Sequence, residues 1–395
     1  MKFCLINNLF HPLSRGGAEK VVALIADGLV ERGEVSVITS CPPGLSTEQK
    51  EDGLTIYRLN PANLYYLLND FRQGVFFKLI WHFFDLFNYP LCAKVKKILK
   101  KVEPDFIFTH NLKGLSLRLL SCASAWPAGH AHTLHDYQLL DPHGTFFRNG
   151  QAQELNSWIY QLYRSLTRPL TKHCQLVIAP SNFVLQKHLQ YGFFPNAKAV
   201  VLPNPIFSQD FSNPNKKISE FLRLGYLGQI EKHKGVDFLI KTFKSWDKED
   251  AELIIAGSGS QNEEVRELAK HDKRIKILGK IKQHDLPDFF DQIDVLVVPS
   301  VWWENSPTVI YEAYSYGLPV LVSDAGGSKE LVIEGETGWL FKSQDQSDLL
   351  GKFNELSRKL PQFKTMGQNG LNFVKQFSLN SYLDELLKLC KSLKK

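Results

Sequence analysis

"DVLVVPSVWWENSPTVIYEAYSYGLPVLVSD", residues 294–324, holds the change of period that decides the fold. "DVLVVPS" is a short continuous apolar run, the pattern of a strand buried on both faces, and "PVLVSD" repeats it. Between them Ser306-Pro307 makes a helix start, with Ser306 as N-cap and Pro307 at the first helical position. Gly317 and Pro319 end that helix. Strand, helix and strand in about thirty residues form a βαβ unit with parallel strands.

The same cadence runs outward in both directions. "FLRLGYLG", "ELIIAG" and "IKILG" read as further strands of a second doubly wound domain that begins near residue 221. Upstream, "FCLIN" (3–7) leads through "SRGG" into a helix with Val21, Val22, Leu24, Ile25 and Leu29 on its apolar face. "EVSVITS" (34–40), "PDFIFTH" (104–110) and "QLVIAPS" (175–181) are the companion strands of a first domain. The Pro-, Asn- and Ser-rich "VLPNPIFSQDFSNPNKK" (201–217) is the expected linker. "SLNSYLDELLKLCKSLKK" reads as an amphipathic helix with a basic tail.

The 395 residues suffice for two domains, and 44% hydrophobic with 22% charged residues is a globular composition. The net charge of +6 suits an anionic ligand or membrane surface, but it is spread over a long chain. The six cysteines are scattered without CxxC spacing, as expected for buried thiols in a reducing compartment. The N-terminal apolar run is too short for a signal peptide and is interrupted by Asn7 and Asn8. "VFFKLIWHFFDLFNYPLC" is broken by Lys78, His82, Asp85 and Asn88, so it is not expected to span a bilayer. A cytoplasmic location follows as the expectation. Within "FFKLIWHFFDLFNYPLCAKVKKILKK" (76–101) an aromatic half is joined to a half bearing Lys94, Lys96, Lys97, Lys100 and Lys101. Interfacial helices combine these features, and the other reading is an ordinary helix packed through Val95, Ile98 and Leu99.

Neither domain carries G-x-G-x-x-G after its first strand. "GSGSQN" (257–262) lacks the third glycine, and Cys41 stands where a dinucleotide site needs an acidic residue. A metal hydrolase is a second alternative, because "HAHTLHD" places His130 and His132 on one face of a strand with His135 and Asp136 close behind. No further His/Asp/Glu cluster supplies the remaining ligands. A sugar-nucleotide binder without activity is the third.

The two glutamates of the opening stretch do different work. Glu304 lies in the loop before the helix and Glu312 about a turn and a half inside it. They are not placed to flank one bond as an acid/base pair. The helix N-terminus between them offers N–H groups and a positive dipole end to an anion. A loop carboxylate there suits sugar hydroxyls, and a helical one suits a ribose diol. "GGAEK" (16–20) is a glycine turn whose backbone at Gly16 and Gly17 can approach a phosphate, or is simply a tight turn. Lys234 in "GQIEKHKG" follows the first strand of the second domain, where doubly wound sheets bind ligands.

Taken in order, "GGAEKVV", "PDFIFTHN", "TLHDYQLL", "PSNFV", "VLPNPI", "LGQIEKHKG", "AGSGS" and the E-x7-E stretch resemble the retaining GT-B glycosyltransferases of family 4 over most of the chain. The resemblance implies two Rossmann-like α/β domains facing each other across a cleft. Residues 1–203 would bind the acceptor and 204–377 the nucleotide-sugar, with a last helix, 378–395, crossing back to the first domain. It implies His135 and Glu304 as catalytic residues, His135 beside the reacting carbon and acceptor and Glu304 on the donor sugar. Donor binding would fall to Gly16, Gly17, Gln229, Lys234, Asn305, Ser306, Thr308 and Glu312, with Lys234 on the diphosphate and Glu312 on the ribose. No metal or other cofactor is implied, and no nucleic acid. The acceptor would be a saccharide or polyprenyl-linked saccharide of bacterial surface polysaccharide, reached by peripheral contact with the inner membrane face. Two positions depart from the family. Gln229 stands where an arginine is common, and Asn305-Ser306 replaces an aromatic-glycine pair, with Pro307 offering no N–H.

Overall fold

The computed structural model describes residues 1–72, 74–154, 156–206 and 219–393. The chain opens with β1 (Lys2–Ile6), α1 (Gly17–Val30), β2 (Glu34–Ser40), β3 (Thr47–Glu51) and β4 (Leu54–Leu59). Helices α2 (Val75–Leu86) and α3 (Tyr89–Val102) follow, then β5 (Phe106–Thr109), α4 (Leu119–Ser124) and β6 (Gly129–Thr133). A hairpin of β7 (Phe147–Arg148) and β8 (Gln151–Ala152) precedes α5 (Trp158–Thr167), β9 (Leu176–Ala179), α6 (Asn182–Gln190) and β10 (Lys198–Val201). The cadence restarts with β11 (Leu222–Gln229), α7 (Val236–Lys244), β12 (Ala251–Ser258), α8 (Asn262–Ala269) and β13 (Ile275–Gly279). Then come α9 (Leu286–Asp291), β14 (Val295–Val298), α10 (Thr308–Ser315), β15 (Val320–Ser323) and β16 (Gly338–Phe341). Helices α11 (Gln346–Arg358), α12 (Phe363–Val374) and α13 (Leu379–Lys391) end the succession.

Two compact units result. The first comprises residues 1–145, 154–205 and 379–395; the second comprises 146–153 and 206–378. The linker expected at 201–217 lies mostly outside the described residues.

In the first unit the sheet order is β10-β9-β6-β5-β1-β2-β4-β3, parallel except for β3 against β4. Its central strands are buried along nearly their whole length because helices cover both faces. Strand β3 (TEQKE) is exposed along its whole length, and its charges suit an edge. Helix α1 turns Val21, Val22, Ile25 and Leu29 inward, and α13 lays Leu383, Leu386 and Cys390 against the same core. Gly28 lets the two helices approach, since a Cβ there would come within 2.6 Å of the Leu383 side chain.

The 76–101 stretch is two helices rather than one segment. Asn88 breaks it, capping α3 by accepting from the Leu91 N–H at 3.1 Å. Val95 and Leu99 are fully buried in α3, so that helix is packed through them. Lys94, Lys96, Lys97 and Lys100 face outward, and Lys101 pairs with Glu48 at 2.7 Å. Among the described residues no helix is long and apolar enough to cross a membrane. All six cysteines are buried free thiols.

In the second unit six parallel strands run β13-β12-β11-β14-β15-β16, with one apolar cluster on each face. Chain order reverses between β11 and β14, as it does between β1 and β5 in the first sheet. Each of these is a switch point, where loops leaving neighbouring strands diverge and open a crevice at the carboxyl edge. Helix α10 starts one residue later than expected: Pro307 is the N-cap, and the Ser306 hydroxyl bonds the Tyr311 hydroxyl at 2.8 Å instead of capping.

Candidate active site

The second switch point gathers the charged residues singled out from the sequence. Lys234 comes from the turn after β11 and Glu304 from the loop after β14, strands that lie side by side. Their side chains meet at 2.7 Å, with Glu304 only 6% exposed and Lys234 21%. Ser300 donates a second hydrogen bond to the same carboxylate oxygen at 2.6 Å. Burial pushes the Glu304 carboxyl up, but the Lys234 charge and the hydrogen bonds from Lys234 and Ser300 outweigh it and hold the group below its ordinary range. The Lys234 ammonium also stands 4.9 Å from the centre of the Trp302 ring.

The backbone at Glu304 is fixed as well. Its carbonyl accepts from the Gly327 N–H at 2.7 Å. Gly326 has φ +74°, and a Cβ there would lie 2.5 Å from the Glu304 carbonyl oxygen. Only glycine allows this approach. Asn305 and Ser306 are buried beside it, Thr308 opens α10, and Glu312 is half-buried on the same helix. Gln229 ends β11, where its carbonyl accepts from the Tyr226 hydroxyl at 2.6 Å.

An aromatic wall adjoins the pair. The His233 ring meets Trp302 edge-on at 4.9 Å, and burial followed by the Lys234 charge pulls its pKa down to about 4. The β7–β8 hairpin completes the wall. Phe147 packs against His233 at 6.1 Å and the buried Phe146 against Trp303 at 5.6 Å. Gln344 holds the turn by donating to the Gly150 carbonyl at 3.1 Å. Nothing in the periodicity of 146–153 marks it as part of this unit.

The first switch point holds the other candidates. Gly16 precedes α1, and its N–H donates to the Glu19 carboxylate at 2.8 Å, so that amide is engaged within the turn. Its φ of −163° is ordinary extended backbone, so the glycine is not required there by conformation. Gly17 is the first residue of α1. His135 follows β6, and its Nε2 is 3.0 Å from Nδ1 of His110, which follows β5. Burial lowers His135 to about 4, and burial with the neighbouring His135 takes His110 well below its ordinary value. Both rings are neutral at pH 7, so one ring donates and the other accepts. His110 Nε2 is buried without a hydrogen-bond partner. Sequence reasoning passed over His110, because one histidine at a strand end has no spacing to mark it.

The metal alternative fares differently. His130 and His132 do share a face of β6, but both bond the Thr109 hydroxyl at 2.9 Å, and His130 also meets Ser124 at 2.8 Å. Burial depresses His130 to about 3. Among the described residues no group of three or more His, Cys, Asp or Glu is disposed to hold a metal ion.

Comparison with known proteins adds to this geometry. A family described as glycosyltransferase family 4 matches residues 15–209, and one described as glycosyl transferases group 1 matches residues 208–373. An uncharacterised glycosyltransferase of Methanocaldococcus jannaschii is 30% identical over 381 residues, 90% of this chain and 89% of its own length. An uncharacterised 42.6 kDa protein in the cps region of Klebsiella pneumoniae is 28% identical over 84% of this chain and 87% of its own length. Among solved structures, Anabaena HepE in complex with UDP and glucose superimposes with a TM-score of 0.73 at 20% identity. That match covers 99% of this chain and 100% of HepE.

Proposed function

This chain belongs to the family 4, group 1 glycosyltransferases, with their GT-B fold, and from that premise we propose that it moves a sugar from a nucleotide-sugar onto a saccharide acceptor of bacterial surface polysaccharide, with retention at the anomeric carbon. The observation that carries this reading is the Lys234–Glu304 pair at the second switch point. HepE, of like fold, is solved with UDP and glucose, which makes a uridine diphosphate the first donor nucleotide to test.

In this reading the second unit binds the donor. Lys234 turns from Glu304 toward the diphosphate, and the carboxylate so released accepts hydroxyls of the donor sugar. Glu312 on α10 takes the ribose diol. Gln229, Asn305, Ser306 and Thr308 contribute neutral hydrogen bonds, and the amides near Gly16 and Gly17 serve the diphosphate. The bond from the anomeric carbon to the diphosphate oxygen breaks as the acceptor oxygen bonds that carbon on the same face. The acceptor's proton passes to the leaving diphosphate. Lys234 offsets the charge that develops there, and no carboxylate nucleophile is called for. His135, supported by His110, orients the acceptor hydroxyl from the first unit. Transfer in this reading runs without a metal or other cofactor. Its acceptor is lipid-linked, so the chain works at the cytoplasmic face of a membrane with peripheral contact.

Calorimetry with uridine diphosphate tests the pair. Lys234→Ala removes a charge-assisted contact, and affinity is expected to fall by about 1.5–3 kcal/mol, roughly 10- to 150-fold. Glu304→Gln frees the Lys234 ammonium, so diphosphate binding is expected to hold or tighten while turnover of the whole sugar nucleotide falls. Equal losses of diphosphate affinity in both variants would refute this division of roles.

A further inference from the structure

Helix α5 is turned inside out. Its inward side chains are polar: Arg164 and Thr167 are buried and donate to the carbonyls of Leu140 and Leu139 at 3.1 and 2.7 Å. Tyr163 does the same to Gln138 at 2.6 Å. The outward face is apolar, with Trp158 72%, Ile159 53%, Leu162 52% and Leu166 44% exposed. These positions line one stripe of the helix. Helix α2 buries Trp81 and Leu86 together with Asp85, yet leaves Phe83 and Phe84 exposed on its other side.

The two helices stand on the same pair of loops. Asp85 accepts from the Gly114 N–H at 3.0 Å, and the Lys113 N–H donates to the Gln138 side chain at 2.6 Å. Gln138 is the residue whose carbonyl receives Tyr163, and the His82 ring of α2 lies 6.3 Å from His143. Both exposed apolar faces therefore belong to helices seated on the same loops of the first unit, and each presents more than a single apolar side chain.

Charge selects the occupant. Asp85 is the only acidic residue on either helix, and it is buried. Asp141 is buried too, and Glu154 is held by Lys187 and Tyr191. Outward lysines of α3 follow α2 directly in the chain. The residues of the first unit include 24 Lys and Arg against 16 Asp and Glu, net +8; those of the second include 23 against 25, net −2. The chain's positive surplus thus lies wholly in the unit that bears the apolar surface. A second copy would bring like charge to the same face, whereas an anionic bilayer offers headgroups to the lysines and an acyl boundary to the tryptophan and phenylalanines.

We propose that the outward faces of α2 and α5 seat this chain on an anionic lipid bilayer. The proposal rests on the reading of a lipid-linked acceptor for its purpose, and it names the surface that serves it. Flotation with phosphatidylcholine vesicles, and with vesicles of equal parts phosphatidylcholine and phosphatidylglycerol, tests it on the whole chain. Wild type is expected to float with the mixed vesicles, less so at high salt. Trp158→Ser combined with Leu162→Ser changes only exposed side chains, and it should weaken flotation by at least about tenfold. Uridine diphosphate titration of the same two proteins gives equal affinities if the nucleotide site is intact in both. If neither binds nucleotide, the transfer reading fails while the vesicle result stands on its own. Wild type that stays unbound to mixed vesicles, or a variant that floats equally well, would overturn the proposal. So would a wild-type dimer without lipid that the double variant converts to monomer, for then the face joins two copies.

Discussion

His110 illustrates how a residue acts through another. Its Nδ1 meets His135 Nε2, and burial keeps both rings neutral, so the bond fixes which nitrogen of His135 carries its proton. His110→Phe keeps the volume and removes the bond; kcat is expected to fall by about 10- to 100-fold, the scale of a lost buried hydrogen bond to a working group, with donor KM little changed. His110→Asn returns an amide near the position of Nδ1 and should recover most of the loss. A purely packing role would give the opposite order, with Phe near wild type and Asn impaired. The chemistry of the Lys234–Glu304 contact was only half legible in the sequence. Each residue stood out by position, but seventy residues separate them, and the pairing of β11 with β14 brings them into contact. Their mutual neutralisation without a ligand follows from that pairing alone.

Elements were legible where burial is uniform. β1, β5, β9, β12, β14 and β15 are mainly apolar runs flanked by turns, because parallel strands covered on both faces need no alternation. The hairpin β7–β8 was silent for the opposite reason: it is four strand residues that pack on side chains contributed by distant loops. Helix α5 was silent because its pattern is inverted, so hydrophobic periodicity points to the wrong face. The start of α10 slipped by one residue because a tertiary contact from Tyr311 claimed the Ser306 hydroxyl. The hairpin carries its own prediction. Phe147→Ala removes an edge-to-face contact on His233, which braces Trp302 beside Lys234. Such contacts contribute about 0.5–1.5 kcal/mol, so kcat/KM for the sugar nucleotide should fall about 2- to 10-fold. Diphosphate affinity by calorimetry should stay at the wild-type value; an equal fall there would place the wall on the nucleotide instead.

At the scale of the molecule, five imidazoles among the described residues of the first unit have pKa values that desolvation depresses: His110, His130, His132, His135 and His188. The unfolded chain takes up their protons near the ordinary 6.5, while the fold refuses them to about 4 or below. Stability is therefore lost as pH falls beneath 6.5, about 1 kcal/mol per imidazole at one unit below. Burial raises Asp85 to about 7 and Asp136 to about 6, so the fold binds those protons first and regains part of the loss. The imidazoles outnumber the carboxyls, and unfolding by urea should show a net loss of about 2–4 kcal/mol between pH 7.5 and 5.5. A gain over that interval would mean the rings are charged in the fold. The place of α13 in the first core has a different consequence. Leu383 and Leu386 complete a core begun by Phe3 and Val22, yet residues 206–378 come between them along the chain. At about 5–20 residues per second, a ribosome needs roughly 10–35 s to pass from the end of β10 to α13. During that interval α1 has emerged with its apolar face uncovered, and the second unit has time to fold first. Helix α13, made after the second unit, then closes the first one, so a nascent chain stalled before it is the form that chaperones meet.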